Sequence, residues 1–250
     1  MKVAIMQPYF LPYIGYWQLM HEADVFVVYD EIEYTRKGWM NRNRYLLNDK
    51  WEYFTLPLKK DSDFLPVNKR FLCSDIADAK QKIIRKLKAS YQKAPEFQNC
   101  WSLFEHMFRH EETNLFRFVL HSITEIKSAL GINTEIIVSS SIDFDNSLKA
   151  QDKIIEICKS VGAREYINPI GGVALYDPDA FDIHGIQLMF HRAIPKPYRQ
   201  YNNDFVPFLS ILDVMMFNTV GEVQNMIRND YLICKKEQHD ILLGEKRVGI

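Results

Sequence analysis

The sequence lacks any apolar run approaching the ~20 residues that a membrane-spanning helix needs, which predicts no transmembrane helix. It lacks an excess of either charge: 31 Lys and Arg stand against 32 Asp and Glu, a formal net charge of -1. A general nucleic-acid or membrane-surface binder needs a positive excess, so both classes are disfavoured, although a local basic patch is compatible with the balance. Cysteine is sparse. Cys73, Cys100, Cys158 and Cys234 stand singly, with no CxxC pair and no Cys/His cluster at zinc spacing. They read as reduced thiols of a cytoplasmic protein. No GxSxG, P-loop or GxGxxG occurs, which weakens hydrolase, NTPase and ordinary dehydrogenase readings.

What is present is the composition of an ordinary globular chain: 250 residues, 47% hydrophobic, 25% charged and 13% aromatic. The opening Met1–Met6 carries one basic residue and stops at Gln7-Pro8. That is too short for a secretion signal and reads as a buried strand over 3–6. A helix over 13–22 and a second buried strand over 25–29 follow, with a further strand over 51–58. Helical spacing covers 75–91, and one long or two shorter helices cover 97–130, ended by Gly131. A strand over 134–138, a helix over 148–161 closed by Gly162 and a strand over 165–168 form a βαβ unit, which implies parallel pairing. The segment 191–208 reads as a long ordered loop, followed by helices over 210–217 and 220–228, with the last dozen residues loose. The expectation is one α/β domain over 1–250: an open, mainly parallel Rossmann-like sheet with helices on both faces. It carries a mostly helical insertion near 75–130 and a helical C-terminal part near 209–240.

Ligands of open parallel sheets bind beyond the carboxyl ends of the strands. The first such loop holds Gln7, Tyr9, Tyr13, Gly15 and Tyr16. Two prolines stiffen it, and a helix start there offers free N–H groups to an anion. It reads equally as an aromatic-packed turn. The second runs from Asp30 to Arg44 and sets Arg36, Lys37, Arg42 and Arg44 among Trp39, Asn41 and Asn43. Arginine suits phosphate or carboxylate, asparagine suits sugar hydroxyls or a base edge, and tryptophan stacks on a flat ring. The binding reading is favoured over a solvated loop. The third is Asn168 with Gly171 and Gly172, where Gly-Gly would allow positive φ and a backbone nest, or simply a turn. The fourth holds Tyr198 and Gln200, then Ser210 and Asp213, which are expected to form a capping-box-like pair. The seven histidines show no ligand spacing beyond His106/His110, and no metal site is expected.

Four stretches, taken in order, resemble the WbqC-like family over nearly the whole chain. They are Met6-Gln7-Pro8-Tyr9-Phe10-Leu11-Pro12-Tyr13-Ile14-Gly15-Tyr16, Lys37-Gly38-Trp39-Met40-Asn41-Arg42-Asn43, Tyr166-Ile167-Asn168-Pro169-Ile170-Gly171-Gly172 and Leu209-Ser210-Ile211-Leu212-Asp213. The resemblance implies bacterial surface-polysaccharide synthesis of the O-antigen type, particularly acyl or aminoacyl decoration of amino sugars. The opening also resembles the HIGH-type nucleotidylyltransferase superfamily, which includes pantothenate synthetase, with Tyr13-Ile14-Gly15-Tyr16 standing where that superfamily has HxGH. Tyrosine can donate a hydrogen bond to a phosphate but cannot become an imidazolium at pH 7.

Together these likenesses imply an acyl- or aminoacyl-transferase or ligase acting on a nucleotide-linked amino sugar. ATP with magnesium would activate the acid if the HIGH-type likeness extends to chemistry. Arg36, Lys37, Arg42 and Arg44 would clamp phosphate. Asp30 would be the base towards the attacking ammonium, or would pair with the arginines, and Tyr16 is the second candidate catalytic group. Gln7, Tyr9, Tyr13, Gly15, Trp39, Asn41, Asn43, Asn168, Gly171, Gly172, Tyr198 and Gln200 would bind substrate. The alternative is a non-catalytic module that binds a nucleotide sugar or a partner protein. No nucleic-acid partner is expected, and an oligomer is allowed but not specified.

Overall fold

A computed structural model describes residues 1–62, 64–145, 147–201 and 204–238. The expectation that the last dozen residues are loose lies outside them. In chain order the elements are β1 (Lys2–Met6), α1 (Ile14–Glu22), β2 (Val25–Val28), β3 (Arg42–Leu47), β4 (Lys50–Thr55), α2 (Ile76–Tyr91), α3 (Phe97–Arg109) and α4 (Leu115–Ala129). Then come β5 (Glu135–Val138), α5 (Ala150–Ser160), β6 (Glu165–Pro169), α6 (Pro178–Asp182), β7 (Gln187–Ala193), α7 (Ile211–Phe217), α8 (Val220–Asn229) and β8 (Tyr231–Cys234).

Six strands form one sheet in the order β5-β2-β1-β6-β7-β8. The first five are parallel, and β8 closes the β7 edge antiparallel. Every residue of β2 is buried, as expected for a parallel strand covered on both faces. Alternation then sorts the side chains. Val3, Ile5, Val25 and Val27 share a core with Ile154, Ile155, Ile157 and Cys158 of α5. Ala4, Phe26 and Val28 share the other core with Trp17, Leu19 and Met20 of α1 and with the α2–α4 helices. Gly131 and Gly162 end α4 and α5 with φ of 64° and 75°, the left-handed conformation that glycine reaches without strain. None of the described helices is long and apolar enough to cross a membrane.

The open α/β architecture matches the sequence reading, with three corrections. The segment from 42 onwards is a strand, paired with β4 in a separate two-stranded hairpin whose turn, Asn48-Asp49, has φ of 47° and 67°. That is the left-handed pair a tight hairpin demands. The loop expected over 191–208 begins inside β7, whose Leu188 and Phe190 are buried on one face, and β8 was not anticipated. Asp213 does not complete a capping box. Ser210 Oγ does cap α7 by accepting from Leu212 N at 3.2 Å, but the Asp213 carboxylate accepts from Tyr91 Oη at 2.8 Å, Tyr198 Oη at 2.5 Å and Gln200 Nε2 at 2.7 Å.

Candidate functional site

The chain runs from β1 to β2 on one side and returns to β6 on the other, so the sheet order switches between β1 and β6. At such a switch the two flanking loops diverge and leave a crevice. A cavity of about 870 Å³ opens there. Its floor comes from Ile5, Met6 and Gln7 at the end of β1, from Asn168 and Pro169 of β6, and from His191 and Ala193 of β7. Tyr9, Pro12, Tyr13, Gly15 and Tyr16 form one wall, Ala150, Gln151 and Ile154 of α5 another, and Trp39, just before the hairpin, with Asn43 and Arg44 of β3 completes the lining on the remaining side.

Two helices begin at this cavity: α1, after Tyr13, and α5, after Lys149. Neither has a side-chain cap, so their first-turn amides and the positive ends of their dipoles bear on the same space. Ala150 and Phe208, both in the lining, hold φ of 47° and 58°, conformations that cost non-glycine residues energy and often cluster at functional sites.

The Arg44 guanidinium lies over three rings, 4.5 Å from Trp51, 5.0 Å from Trp39 and 5.9 Å from Tyr53. Its Nε is buried without a hydrogen-bond partner. Stacking fixes the plane of the fork and leaves its N–H edge available to a ligand. No Asp, Glu, Lys, Ser or Cys is among the described residues that line the cavity. The only full charge in the lining at neutral pH is therefore Arg44, because burial pulls the His191 pKa down to about 4. Burial also raises the Tyr9 and Tyr13 phenols above their ordinary range, which keeps them as neutral donors.

The structure thus gathers Gln7, Tyr9, Tyr13, Gly15, Tyr16, Trp39, Asn43, Asn168, Gly171 and Gly172 around one cavity, but their tasks differ. Asn43 Nδ2 donates to the carbonyls of Phe10 and Leu11 at 3.0 and 2.8 Å, tying the hairpin to the first loop. Tyr16 Oη donates to the Gln7 carbonyl at 3.2 Å, and burial holds its pKa well above the ordinary value, so it is a fixed phenol rather than a base. Gly171 and Gly172 do not form the expected positive-φ nest, since they lie in a 3-10 turn over Ile170–Leu175. The requirement at 172 is space: a Cβ there would stand 2.2 Å from Asn168 Nδ2.

The other expected residues lie outside the lining. Asp30 is 2% exposed. Its carboxylate accepts from Ser139 Oγ, Ser140 N, Ser140 Oγ and Asn68 Nδ2 at 2.8–3.0 Å, pinning the end of β2 to the turn after β5. Its oxygens are taken and it is absent from the cavity lining, which counts against its reading as the base. Asn41 bonds the Leu56 carbonyl and Tyr34 Oη. Arg36 and Lys37 are exposed outside the cavity, and Arg42 staples the carbonyls of Lys37 and Gly38 while lying over Tyr53. Tyr198 and Gln200 serve Asp213. Sequence reasoning missed His191 because β7 itself went unread. The strand alternation around Leu188 and Phe190 was the available signal.

Gly15 belongs to the wall for a steric reason. A Cβ at this position would meet the Tyr13 ring at 2.4 Å. The atoms it would meet are the far end of the part-buried Tyr13 ring, and alanine is the better helix former by roughly 0.5–1 kcal/mol, so the displacement and the propensity gain oppose each other. Gly15→Ala should therefore keep urea stability within about 1 kcal/mol of wild type, while binding of a cavity ligand weakens about tenfold by calorimetry.

The cavity suits phosphate groups through Arg44 and two helix starts. It does not suit a magnesium ion held by protein oxygens, since no carboxylate lines it and the Asp30 carboxylate is taken. Among the described residues no group of three or more His, Cys, Asp or Glu could hold a metal ion. The two histidines of the HIGH-type turn are tyrosines, one of them committed to the Gln7 carbonyl.

The chain is 28% identical over 229 residues to the uncharacterized protein Rv1507c of Mycobacterium tuberculosis (strain ATCC 25618 / H37Rv), covering 91% of this chain and 97% of that protein. No solved structure matches. The WbqC-like protein family matches residues 7–225, a span that starts at Gln7 on the cavity floor and takes in every lining segment from there to Phe208, and the chain belongs to that family.

Proposed function

We propose that the protein binds a nucleotide-linked amino sugar in the cavity at the β1/β6 switch and transfers an acyl or aminoacyl group to the sugar amine. This would serve the building of a surface polysaccharide of the O-antigen type. The family is linked to polysaccharide biosynthesis in general. The observation that carries the reading is the convergence of two uncapped helix starts and the Arg44 fork on a large aromatic cavity with no acid in its lining. Such a field attracts a diphosphate, and Trp39 supplies a face for a base or sugar.

The chemistry then rests on approximation. The neutral amine nitrogen attacks the acyl carbonyl of a donor activated beforehand. A C–N bond forms, the bond to the leaving group breaks with its electron pair, and one amine proton passes to water. The Gln7 amide and the Tyr9 and Tyr13 phenols are the donors available to the transient oxyanion. No step requires magnesium, in keeping with the cavity's lack of carboxylates.

Calorimetry with a dTDP-linked amino sugar, with and without EDTA, tests the binding half. Equal micromolar affinity in both is expected, and loss of binding in EDTA overturns it. Incubation with the same sugar and a panel of acyl thioesters, followed by mass spectrometry, tests transfer. A mass gain that needs both reactants supports the enzyme. Binding without any product favours the second reading, a non-catalytic sugar-nucleotide or partner module, whose own support is the lack of Ser, Cys, Lys or a carboxylate among the described residues of the lining.

A further inference from the structure

In a chain whose charges balance, the stretch 79–95 does not. It holds Lys80, Lys82, Arg85, Lys86, Lys88 and Lys93 and no Asp or Glu. Nearly all of it is α2. Lys80 turns inward, 6% exposed, and its Nζ donates to the His110 carbonyl at 2.7 Å. The other five cations are exposed. Lys82, Arg85 and Lys86 share one stripe, opposite the buried Ile84, Leu87 and Tyr91, and Lys93 stands just past its end. None of the five makes an ion pair with a described residue. The acids that bracket the stretch do not relieve it. Asp78, one turn before Lys82, forms no pair with it, and Glu96 accepts from Asn99 Nδ2 at 2.7 Å. The exposed faces of other helices mix signs, as in Glu105–Arg109 of α3 and Glu156–Lys159 of α5. On α2, Lys82 with Arg85, Lys82 with Lys86 and Arg85 with Lys88 set like charges three or four residues apart, which destabilises a helix. Lys88 is offset by the C-terminal end of the dipole, but Lys82, Arg85 and Lys86 lie too far from it.

We infer that the outer face of α2 is a docking surface for an anionic bilayer, whose phosphate head groups meet its cations in one plane. The composition of the face selects this partner. An acidic protein would need an apolar or aromatic anchor at the centre of the contact, and between the cations stand only Ala89 and the amides of Gln81 and Gln92. A single-stranded nucleic acid would need rings to stack on, and the face has none. A head-group layer needs only cations gathered on one side, each worth about fivefold in partition. No large apolar side chain of α2 is exposed, so the contact is shallow, held by charge and released by salt. The net charge of -1 gives the whole chain no attraction of its own, so the stripe sets which side meets the surface. None of the five exposed cations lines the cavity, and the surface is independent of the acyl-transfer reading.

Flotation of the full chain with vesicles of phosphatidylcholine alone, and of phosphatidylcholine mixed equally with phosphatidylglycerol, tests the surface. Binding to the mixed vesicles is expected at about 0.05 M salt and its loss at about 0.5 M, with none to phosphatidylcholine alone. The triple variant Lys82→Gln, Arg85→Gln and Lys86→Gln should lower the partition about a hundredfold. Glutamine keeps the helix propensity, and the three side chains make no hydrogen bond or ion pair with the described residues, so the urea midpoint of this variant should equal or exceed that of wild type. A second triple with the same loss of charge, Lys60→Gln, Arg164→Gln and Arg228→Gln, removes exposed cations from other elements and should keep most of the binding. No binding to the mixed vesicles at low salt, or equal losses in the two triples, would overturn the assignment. Duplex RNA that binds more tightly than the mixed vesicles, and is released by the α2 triple, would make the face a nucleic-acid surface and overturn it as well.

Discussion

Arg44→Gln should weaken binding of a dTDP-linked sugar about a hundredfold and leave the fold intact. The guanidinium forms no hydrogen bond or ion pair with the described residues, so its removal orphans no partner. What the fold loses is stacking on Trp39, Trp51 and Tyr53, about 0.5–1 kcal/mol for a partly exposed contact. The ligand loses two charge-assisted hydrogen bonds at about 1.5–3 kcal/mol each, partly repaid by water entering the vacated space. The net, roughly 3 kcal/mol, corresponds to the hundredfold change. Arg44→Lys should recover little of it, because an ammonium neither lies flat on three rings nor offers a fork. Titration calorimetry at two salt concentrations checks both statements. Wild-type affinity should fall as salt rises and that of Arg44→Gln should barely respond. An unchanged affinity in the variant would remove the anion from this end of the cavity.

Much of the frame was legible because it depends on local rules. Val25–Val28 is apolar without a break, as a strand covered on both faces must be, and Gly131 and Gly162 mark helix ends that only a left-handed residue closes well. The site was legible in part for the same reason. Loops after parallel strands gather wherever the sheet reverses its order, so Tyr13, Trp39 and Gly172 meet without any contact being read from the sequence. Charge was less informative. Arg36, Lys37, Arg42 and Arg44 look alike in a list of cations, but Arg36 and Lys37 sit exposed before β3, and Arg42 and Arg44, on one face of the strand and both over Tyr53, part at their tips: Arg42 turns back to the Lys37 and Gly38 carbonyls and only Arg44 reaches the cavity. Asp30 and Asp213 were misread because nothing local shows that distant partners (Ser139 and Ser140 for one, Tyr91 for the other) will consume their oxygens. His191 was missed because its strand adjoins a Pro-rich segment that masks the alternation.

Asp213 also yields the largest expected effect on stability. It is fully buried, and desolvation raises its pKa from 3.8 to about 6 although the hydroxyls of Tyr198 and Tyr91 and the Gln200 amide all favour the charged form. Those donors come from α2 and from the segment before α7, and Tyr201 adds a further nearby phenol. Asp213→Ala leaves the Tyr91 and Tyr198 hydroxyls without an acceptor, at about 1–3 kcal/mol each, while Gln200 Nε2 keeps the Val206 carbonyl at 3.2 Å, so a loss of about 4 kcal/mol in urea unfolding is expected. The same change should loosen the cavity, because α7 holds the first loop through Ser210 Oγ to the Leu11 carbonyl and Ile211 N to the Pro12 carbonyl. A second variant isolates the charge. A carboxyl whose folded pKa exceeds its unfolded one favours the folded state most when both states are protonated, below 3.8, and that contribution is lost as pH rises through about 6. The lost amount is about 3 kcal/mol at about 1.4 kcal/mol per pKa unit. His191, depressed to about 4, acts in the opposite sense over nearly the same window, so wild type alone would mask the effect. The informative quantity is the stability of wild type minus that of Asp213→Asn, in which His191 cancels. It should fall by about 2.4 kcal/mol between pH 4 and pH 7, the rest of the change lying below pH 4. A difference that stays flat over this range would mean that the three donors outweigh desolvation and that Asp213 is an ordinary buried carboxylate.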